Sequence, residues 1–103
     1  MGNYLLAYKG GGMAETDAER DAQMAAWGGW FGQLGDSIVD AGNPFASSAS
    51  VGGDGTVGDA GSGLTGYSVL RADSLIAATE LAKGCPILGN GGSIDVYETH
   101  ALM

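Results

Sequence analysis

The chain has 103 residues, 12 acidic against 4 basic side chains and a formal net charge of -8. This length suits one small domain over residues 1–103, and its 45% hydrophobic and 16% charged residues are typical of globular proteins. The negative charge opposes binding to a phosphate backbone, and the sequence contains no Lys/Arg cluster that would offset it. Nucleic acid is therefore not expected as a partner.

The sequence also indicates where the protein resides. No apolar stretch approaches the roughly 20 residues of a membrane-spanning helix. Residues 1–9 lack the basic start and the long apolar run of a secretory signal. The single cysteine, Cys85, cannot form an internal disulfide. We expect a cytoplasmic protein without a membrane partner.

Residues 3–9 (NYLLAYK) predict a first strand, because they are rich in β-forming side chains and three glycines follow them. Both faces of this strand are apolar. One face carries Tyr4, Leu6 and Tyr8, and the other carries Leu5 and Ala7. A sheet covered by helices on one side only would leave one of these faces without a partner.

Thr16 and Glu19 form a capping-box pattern, which predicts the start of the first helix. Apolar side chains then recur every three or four residues along one stripe, which we expect to face the sheet. The stripe consists of Trp27, Trp30, Phe31, Leu34, Ile38 and Ala41.

Several glycines interrupt or follow this helix. Gly28, Gly29 and Gly35 lie inside the predicted helix, which indicates a bend or the close approach of a neighbouring backbone. Gly42 is predicted to cap the helix at its carboxyl end, and Pro44 prevents its continuation.

Three further strands are predicted. Residues 45–51 predict a weak second strand of small side chains, and the glycine-rich residues 52–63 predict a hairpin loop. Residues 66–71 (GYSVLR) predict a third strand, and residues 93–99 (SIDVYET) alternate as a fourth. Between them, Asp73 or Ser74 is expected to cap a second helix.

The predicted order is β-α-β-β-α-β. This is the α+β, ferredoxin-like arrangement, with a four-stranded antiparallel sheet and two helices on one face. Strands one and three are expected at the centre of the sheet. Because the first strand is apolar on both faces, we expect the open face to pack against a second copy of the chain. The prediction is a homodimer joined through its sheet faces.

Two stretches of the chain resemble the YCII-related (DGPF-domain) family. The first covers residues 24–35 (MAAWGGWFGQLG) and continues into residues 39–45 (VDAGNPF). The second contains residues 66–75 (GYSVLRADSL), 80–86 (ELAKGCP) and 91–96 (GGSIDV). The resemblance implies a ferredoxin-like fold paired into a dimeric α/β barrel.

The resemblance also carries an expectation about the site, from which this sequence departs. The activity proposed for that family depends on a His/Asp pair near a cleft in some members. This sequence has one histidine, His100, which follows the last predicted strand. The Asp-Gly-Pro-Phe tetrad that names the family is replaced by residues 59–62 (DAGS), so that Asp59 aligns loosely with the family's loop aspartate.

Three residues are candidates for acid/base catalysis. His100 has an unperturbed pKa near neutrality, although it lies near the carboxyl terminus, where chains are commonly frayed. Asp40 is placed near the negative end of the first helix, where it is either a site acid or the acceptor of a capping hydrogen bond. Asp59 is either a site acid or a solvated loop residue.

Four residues are candidates for ligand binding. Tyr8 and Lys9 begin the segment 8–12 (YKGGG), where glycine-rich turns can expose N–H groups to a phosphate. The alternative is a plain connection, because the carboxylates at the start of the first helix repel phosphate. Trp30 either lines a cleft or packs in the core, and Tyr67 either lines a pocket or fills a dimer seam. No metal or cofactor is expected, since no His/Cys/carboxylate spacing is typical of zinc.

Three functions are consistent with these features. The first is a small-molecule-binding or accessory dimer, with a cleft between the first helix, the loop after the first strand and the hairpin of residues 52–63. The second is an enzyme of the lyase, hydrolase or isomerase type that uses Asp40 or Asp59, and His100, on a small organic molecule. The third is a structural dimerisation module, which predicts a filled cleft.

Overall fold

The computed structural model describes residues 2–11, 15–61 and 63–100. Its main sheet contains β1 (Gly2–Lys9), β2 (Ile38–Asp40), β5 (Leu64–Ala72) and β6 (Ser93–Glu98). A separate two-stranded sheet joins β3 (Ser50–Val51) to β4 (Val57–Gly58). The helices are α1 (Asp17–Leu34) and α2 (Leu75–Ala82), and two short 3₁₀ helices cover Gly35–Ser37 and Pro86–Asn90.

The strand order of the main sheet is β2-β5-β1-β6, and its pairings are antiparallel. The predicted four-stranded antiparallel sheet is therefore confirmed, with the first and third of its strands, β1 and β5, at the centre. This α+β architecture is compatible with a ferredoxin-like fold.

Both helices pack on the same face of the sheet. Leu6 of β1 is fully buried there with Trp30 and Leu34 of α1, and Tyr4 of the same strand face is buried with Ala78 of α2. Residues two apart on a strand share a face, so Tyr4, Leu6 and Tyr8 all point towards the helices. The opposite face of the sheet is left without a covering layer in the described part of the chain.

The capping prediction for α1 is confirmed at its start. The Thr16 hydroxyl accepts a hydrogen bond from the Glu19 N–H at 3.1 Å, and Glu19 Oε2 accepts one from the Glu15 N–H at 2.9 Å. These bonds satisfy two N–H groups at the beginning of the helix, where no backbone acceptor is available.

The predicted end of α1 at Gly42 is wrong. The helix ends at Leu34, and Gly35 caps it with a φ of 52° while its N–H donates to the Phe31 carbonyl. A positive φ is readily adopted by glycine. Ile38 therefore belongs to β2, and Ala41 to the segment that follows it, rather than to the helical stripe.

The second strand of the sheet is also displaced from its predicted position over residues 45–51. Ile38–Asp40 forms the edge strand instead, because the β-branched pair of Ile38 and Val39 favours a strand more than the small side chains that follow. Residues 41–45 continue beside β5, with a backbone bond of 2.8 Å from the Phe45 N–H to the Thr65 carbonyl.

Of the two explanations given for Gly28 and Gly29, a bend or the close approach of a neighbouring backbone, the close approach is wrong. A Cβ built at either glycine would meet no heavy atom of the described residues within 4 Å. The close approach occurs at Gly42, which has a φ of +79° and lies against the Tyr67 carbonyl group of β5. A side chain is excluded at Gly42 by both its conformation and its neighbour.

The molecule is flat, with principal extents of 44 × 38 × 18 Å. Its accessible surface is 6851 Å², whereas a compact monomer of 10.3 kDa exposes about 5,400 Å². Leu5 and Val69 are half-buried on the open sheet face, and Tyr97 is 55% exposed there. Within residues 2–11, 15–61 and 63–100, no helix is long and apolar enough to cross a bilayer.

Candidate functional site

A cavity of about 880 Å³ lies on the helical side of the sheet. Its walls come from α1, from Gly10 and Gly11 after β1, from the beginning of β5 and from residues 41–45. Ile87 and Asn90 of the second 3₁₀ helix complete the lining. The cleft predicted between α1 and the loop after β1 is therefore present, but residues 41–45 take the place of the hairpin as its further wall.

Three aromatic rings form one side of this cavity. The rings of Tyr8 and Trp27 meet edge to face, with centroids 5.2 Å apart, and Trp27 lies 5.7 Å from Phe31. Trp27 and Phe31 are four residues apart, so both project from one side of α1. The arrangement offers large, fixed apolar surfaces to any molecule in the cavity.

A hydrogen-bonded chain of two hydroxyl groups lies at the base of this side. Tyr8 donates to Ser68 Oγ at 2.7 Å, and Ser68 donates to the Ala41 carbonyl oxygen at 2.7 Å. Ser68 is fully buried, so both of its bonds replace contacts with water. Burial raises the pKa of Tyr8 to about 12, which keeps its hydroxyl protonated at neutral pH.

Few charged side chains lie around the cavity. Arg20 lines it, and the Arg20 guanidinium lies 3.5 Å from an Asp17 carboxylate oxygen, with both side chains exposed. None of the described residues that line the cavity is an aspartate, a glutamate or a histidine. The site is therefore suited to apolar contact and hydrogen bonding more than to ion pairing.

The predicted ligand-binding residues lie in three places. Tyr8 and Tyr67 line the cavity, although the pairing of Tyr67 with Ala7 places the Tyr67 side chain on the open sheet face, opposite to that of Tyr8. Trp30 is buried in the core, where its indole N–H donates to the Leu81 carbonyl at 3.2 Å, and it does not line the cavity. Lys9 lies on the open sheet face and forms an ion pair of 2.7 Å with Asp95, which raises the pKa of Lys9.

None of the three predicted catalytic residues lines the cavity, although Asp40 is bonded to two residues that do. Asp40 is exposed, and its carboxylate accepts the Gly42 N–H at 2.8 Å and the Tyr67 hydroxyl at 3.3 Å. Asp59 follows β4 and His100 follows β6, and both are exposed. Since β2 and β6 are opposite edges of the sheet, the structure does not bring Asp40 and His100 together.

The structure also places the cysteine and part of the glycine-rich turn. Cys85 is buried in the core beneath α1, and burial raises the pKa of its thiol to about 11. Gly10 and Gly11 of the glycine-rich turn line the cavity, while Gly12 lies outside the described residues. In the part of the chain that the structure describes, no group of three His, Cys, Asp or Glu side chains could hold a metal ion.

Sequence reasoning missed Trp27, Arg20, Ser68 and residues 41–45 as parts of the site. Trp27 carried a usable signal, because its spacing to Phe31 places both on one edge of the apolar stripe. Ser68 carried none, since its role depends on the register between β1 and β5. No protein-family profile matches the chain, and no curated protein matches it either.

Proposed function

We propose that this protein binds a small organic molecule in the cavity between α1 and the sheet. The observation that carries the proposal is the cavity itself, whose volume of about 880 Å³ lies within the range of about 300–1,000 Å³ typical of ligand pockets. Its lining combines apolar aromatic rings with a few hydrogen-bonding groups, which is the composition that ligand pockets share.

The position of the titratable groups favours binding over catalysis. A general acid or base must lie within hydrogen-bond reach of the reacting group. Asp40, Asp59 and His100 do not line the cavity. The buried hydroxyl of Tyr8 has a pKa of about 12, so it keeps its proton at neutral pH. A purely structural module is disfavoured for a different reason, because tight packing would leave no cavity of this size.

We propose further that two ferredoxin-like domains pair through their open sheet faces into a dimeric α/β barrel, as the resemblance to the YCII-related family implies. The surface of the single chain exceeds that of a compact monomer by about 1,500 Å², and a standard interface covers about 800 Å² on each partner. Leu5 and Val69 would supply the apolar centre of the interface.

Two polar pairs of the open face suit this pairing, whereas Arg71, which is exposed on the same face, forms no ion pair with another described residue and would need one from the partner. Lys9 is bonded to Asp95, and Tyr67 is bonded to Asp40, within the single chain. Charges that already have partners can enter an interface without leaving an unpaired charge buried. The buried free thiol of Cys85 accords with the proposed cytoplasmic location, where cysteines stay reduced.

Native mass spectrometry of the gently purified protein tests both proposals, because it reports subunit number and any retained molecule. Gly28 lines the cavity and Gly29 does not, although a Cβ at either position meets open space. We therefore expect dimers with retained mass for the wild type and Gly29→Phe, and dimers without it for Gly28→Phe.

Two outcomes would overturn these proposals separately. A monomer at micromolar concentration would refute pairing through the sheet faces. Equal retained mass in Gly28→Phe and Gly29→Phe would place the bound molecule outside the cavity.

A further inference from the structure

The direction of the hydrogen bonds at the base of the cavity is fixed. A carbonyl oxygen can only accept, so the Ser68 proton must point to the Ala41 carbonyl. Ser68 then has only lone pairs to offer Tyr8, and the Tyr8 proton must point to Ser68. Both hydroxyl protons are committed, and the free capacity of Tyr8 is a lone pair.

The chain of hydrogen bonds borders the cavity, because Tyr8, Ser68 and Ala41 all line it. Tyr8 lines the cavity, and no described residue donates a hydrogen bond to its hydroxyl oxygen. A ligand group that only accepts hydrogen bonds would face this oxygen without a proton between them, which is unfavourable in a water-poor site. A ligand group with an O–H or N–H would complete the chain of hydrogen bonds.

The charges around the cavity limit the ligand in a second way. Burying a charge without a partner is costly, and the described lining contains neither carboxylate nor histidine that could pair with a cation. For an anion, Arg20 is exposed to water and already lies beside Asp17, within a chain of net charge -8. A neutral molecule is therefore favoured.

The aromatic rings of the cavity limit the shape of the ligand. Trp27 contacts Tyr8 and Phe31 at centroid distances of 5.2 and 5.7 Å, so packing on Trp27 holds the rings in place. A flat aromatic system can pack edge to face or offset against such rings over a large area.

We propose that the cavity selects a neutral, planar aromatic molecule that donates one hydrogen bond, through an aromatic N–H or a phenolic O–H, to the hydroxyl oxygen of Tyr8. This inference rests on the proposed binding function and names the class of molecule bound.

Carbazole and dibenzofuran form a matched pair of probes, because they share a flat three-ring shape and differ in an N–H donor against an oxygen acceptor. Dibenzofuran-4-carboxylate adds a negative charge to the same shape. In titrations followed by fluorescence or calorimetry, we expect carbazole to bind about tenfold more tightly than dibenzofuran, the value of one hydrogen bond. The carboxylate is expected to bind more weakly than either.

Two variants and a control assign the preference to Tyr8. Tyr8→Phe removes the acceptor, so carbazole and dibenzofuran should bind equally. Ser68→Ala frees the Tyr8 proton, which can then donate to dibenzofuran, so the preference should shift towards that probe. Tyr4→Phe changes a buried tyrosine of the same strand that does not line the cavity, and it should keep the wild-type ratio. Circular dichroism verifies that each variant is folded.

The outcomes separate this inference from the function beneath it. The ligand class would be overturned if carbazole and dibenzofuran bound equally, if the carboxylate bound most tightly, or if none of the three bound. A molecule retained by the wild type in mass spectrometry would still support binding in the cavity. A carbazole preference that survives in Tyr8→Phe would overturn the role of Tyr8. If, in addition, the wild type retained no molecule in mass spectrometry, the proposed function would be refuted.

Discussion

Gly42→Ala tests how residues 41–45 are held against β5 to form one wall of the cavity. A Cβ at this position would overlap the Tyr67 carbonyl oxygen and lie 2.6 Å from the carbonyl carbon. The φ of +79° is itself unfavourable for alanine. The segment therefore has to move away from β5 in the variant.

The expected cost follows from the contacts that this movement breaks. A left-handed conformation costs alanine about 1–2 kcal/mol. Displacing the segment also weakens the bonds from Ser68 to the Ala41 carbonyl and from the Phe45 N–H to Thr65, each worth about 1 kcal/mol. We predict a loss of about 3–4 kcal/mol in the free energy of unfolding, a large part of the stability of a small domain.

Urea unfolding followed by tryptophan fluorescence measures this loss. Gly53→Ala is the control, because a Cβ there meets no described atom within 4 Å and the residue has no positive φ. The control should stay within about 0.5 kcal/mol of the wild type. A Gly42→Ala protein as stable as the control would refute the placement of residues 41–45 on β5.

Three further predictions concern single residues. Gly29→Ala and Gly32→Ala should each raise the free energy of unfolding by about 1 kcal/mol in urea titrations, since both lie in α1 beside open space, and a loss of stability would contradict this. The Cys85 thiol, with a pKa of about 11, should react with Ellman's reagent at pH 8 only when the protein unfolds, so fast labelling of the folded protein would show that it is not buried. Because the pKa of Tyr8 is about 12 in the folded protein and 10.0 for an unperturbed tyrosine, the unfolded chain loses this proton first, and stability should decline as the pH rises from 10.0 to about 12. Tyr8→Phe should reduce that decline in unfolding measurements across this range, and an unchanged decline would contradict the burial of Tyr8.

The strands and helices with strong local patterns could be predicted from the sequence. The pattern of residues 3–9 and the Thr16 cap gave the right elements, because their signals depend on neighbours in the chain. The end of α1 could not be placed in this way. Ile38 and Ala41 continue the helical spacing past Gly35, and both Gly35 and Gly42 have a positive φ, so only the folded chain determines which of the two glycines ends the helix.

The site was predicted less completely than the fold. The region between α1 and the loop after β1 was identified, and Tyr8 with it. Trp30 was predicted as a ligand-binding residue and Trp27 was not. The two residues are three apart on α1, so their side chains point in directions about 60° apart around the helix axis. Trp30 therefore lies in the core, whereas Trp27 lines the cavity. Ser68 reaches Tyr8 only through the pairing of β5 with β1, at a sequence separation of 60 residues. Such a contact leaves no local trace in the sequence.

Amide NMR of the protein with carbazole tests the central claim most directly, because glycine N–H signals fall in a resolved region and glycines lie both inside and outside the cavity. Those that line it are Gly10, Gly11, Gly28, Gly42 and Gly66. We predict that carbazole shifts these signals and leaves Gly53, Gly55 and Gly58 of the hairpin segment unchanged. Shifts confined to the hairpin glycines, or no shift at saturating carbazole, would contradict binding in the cavity.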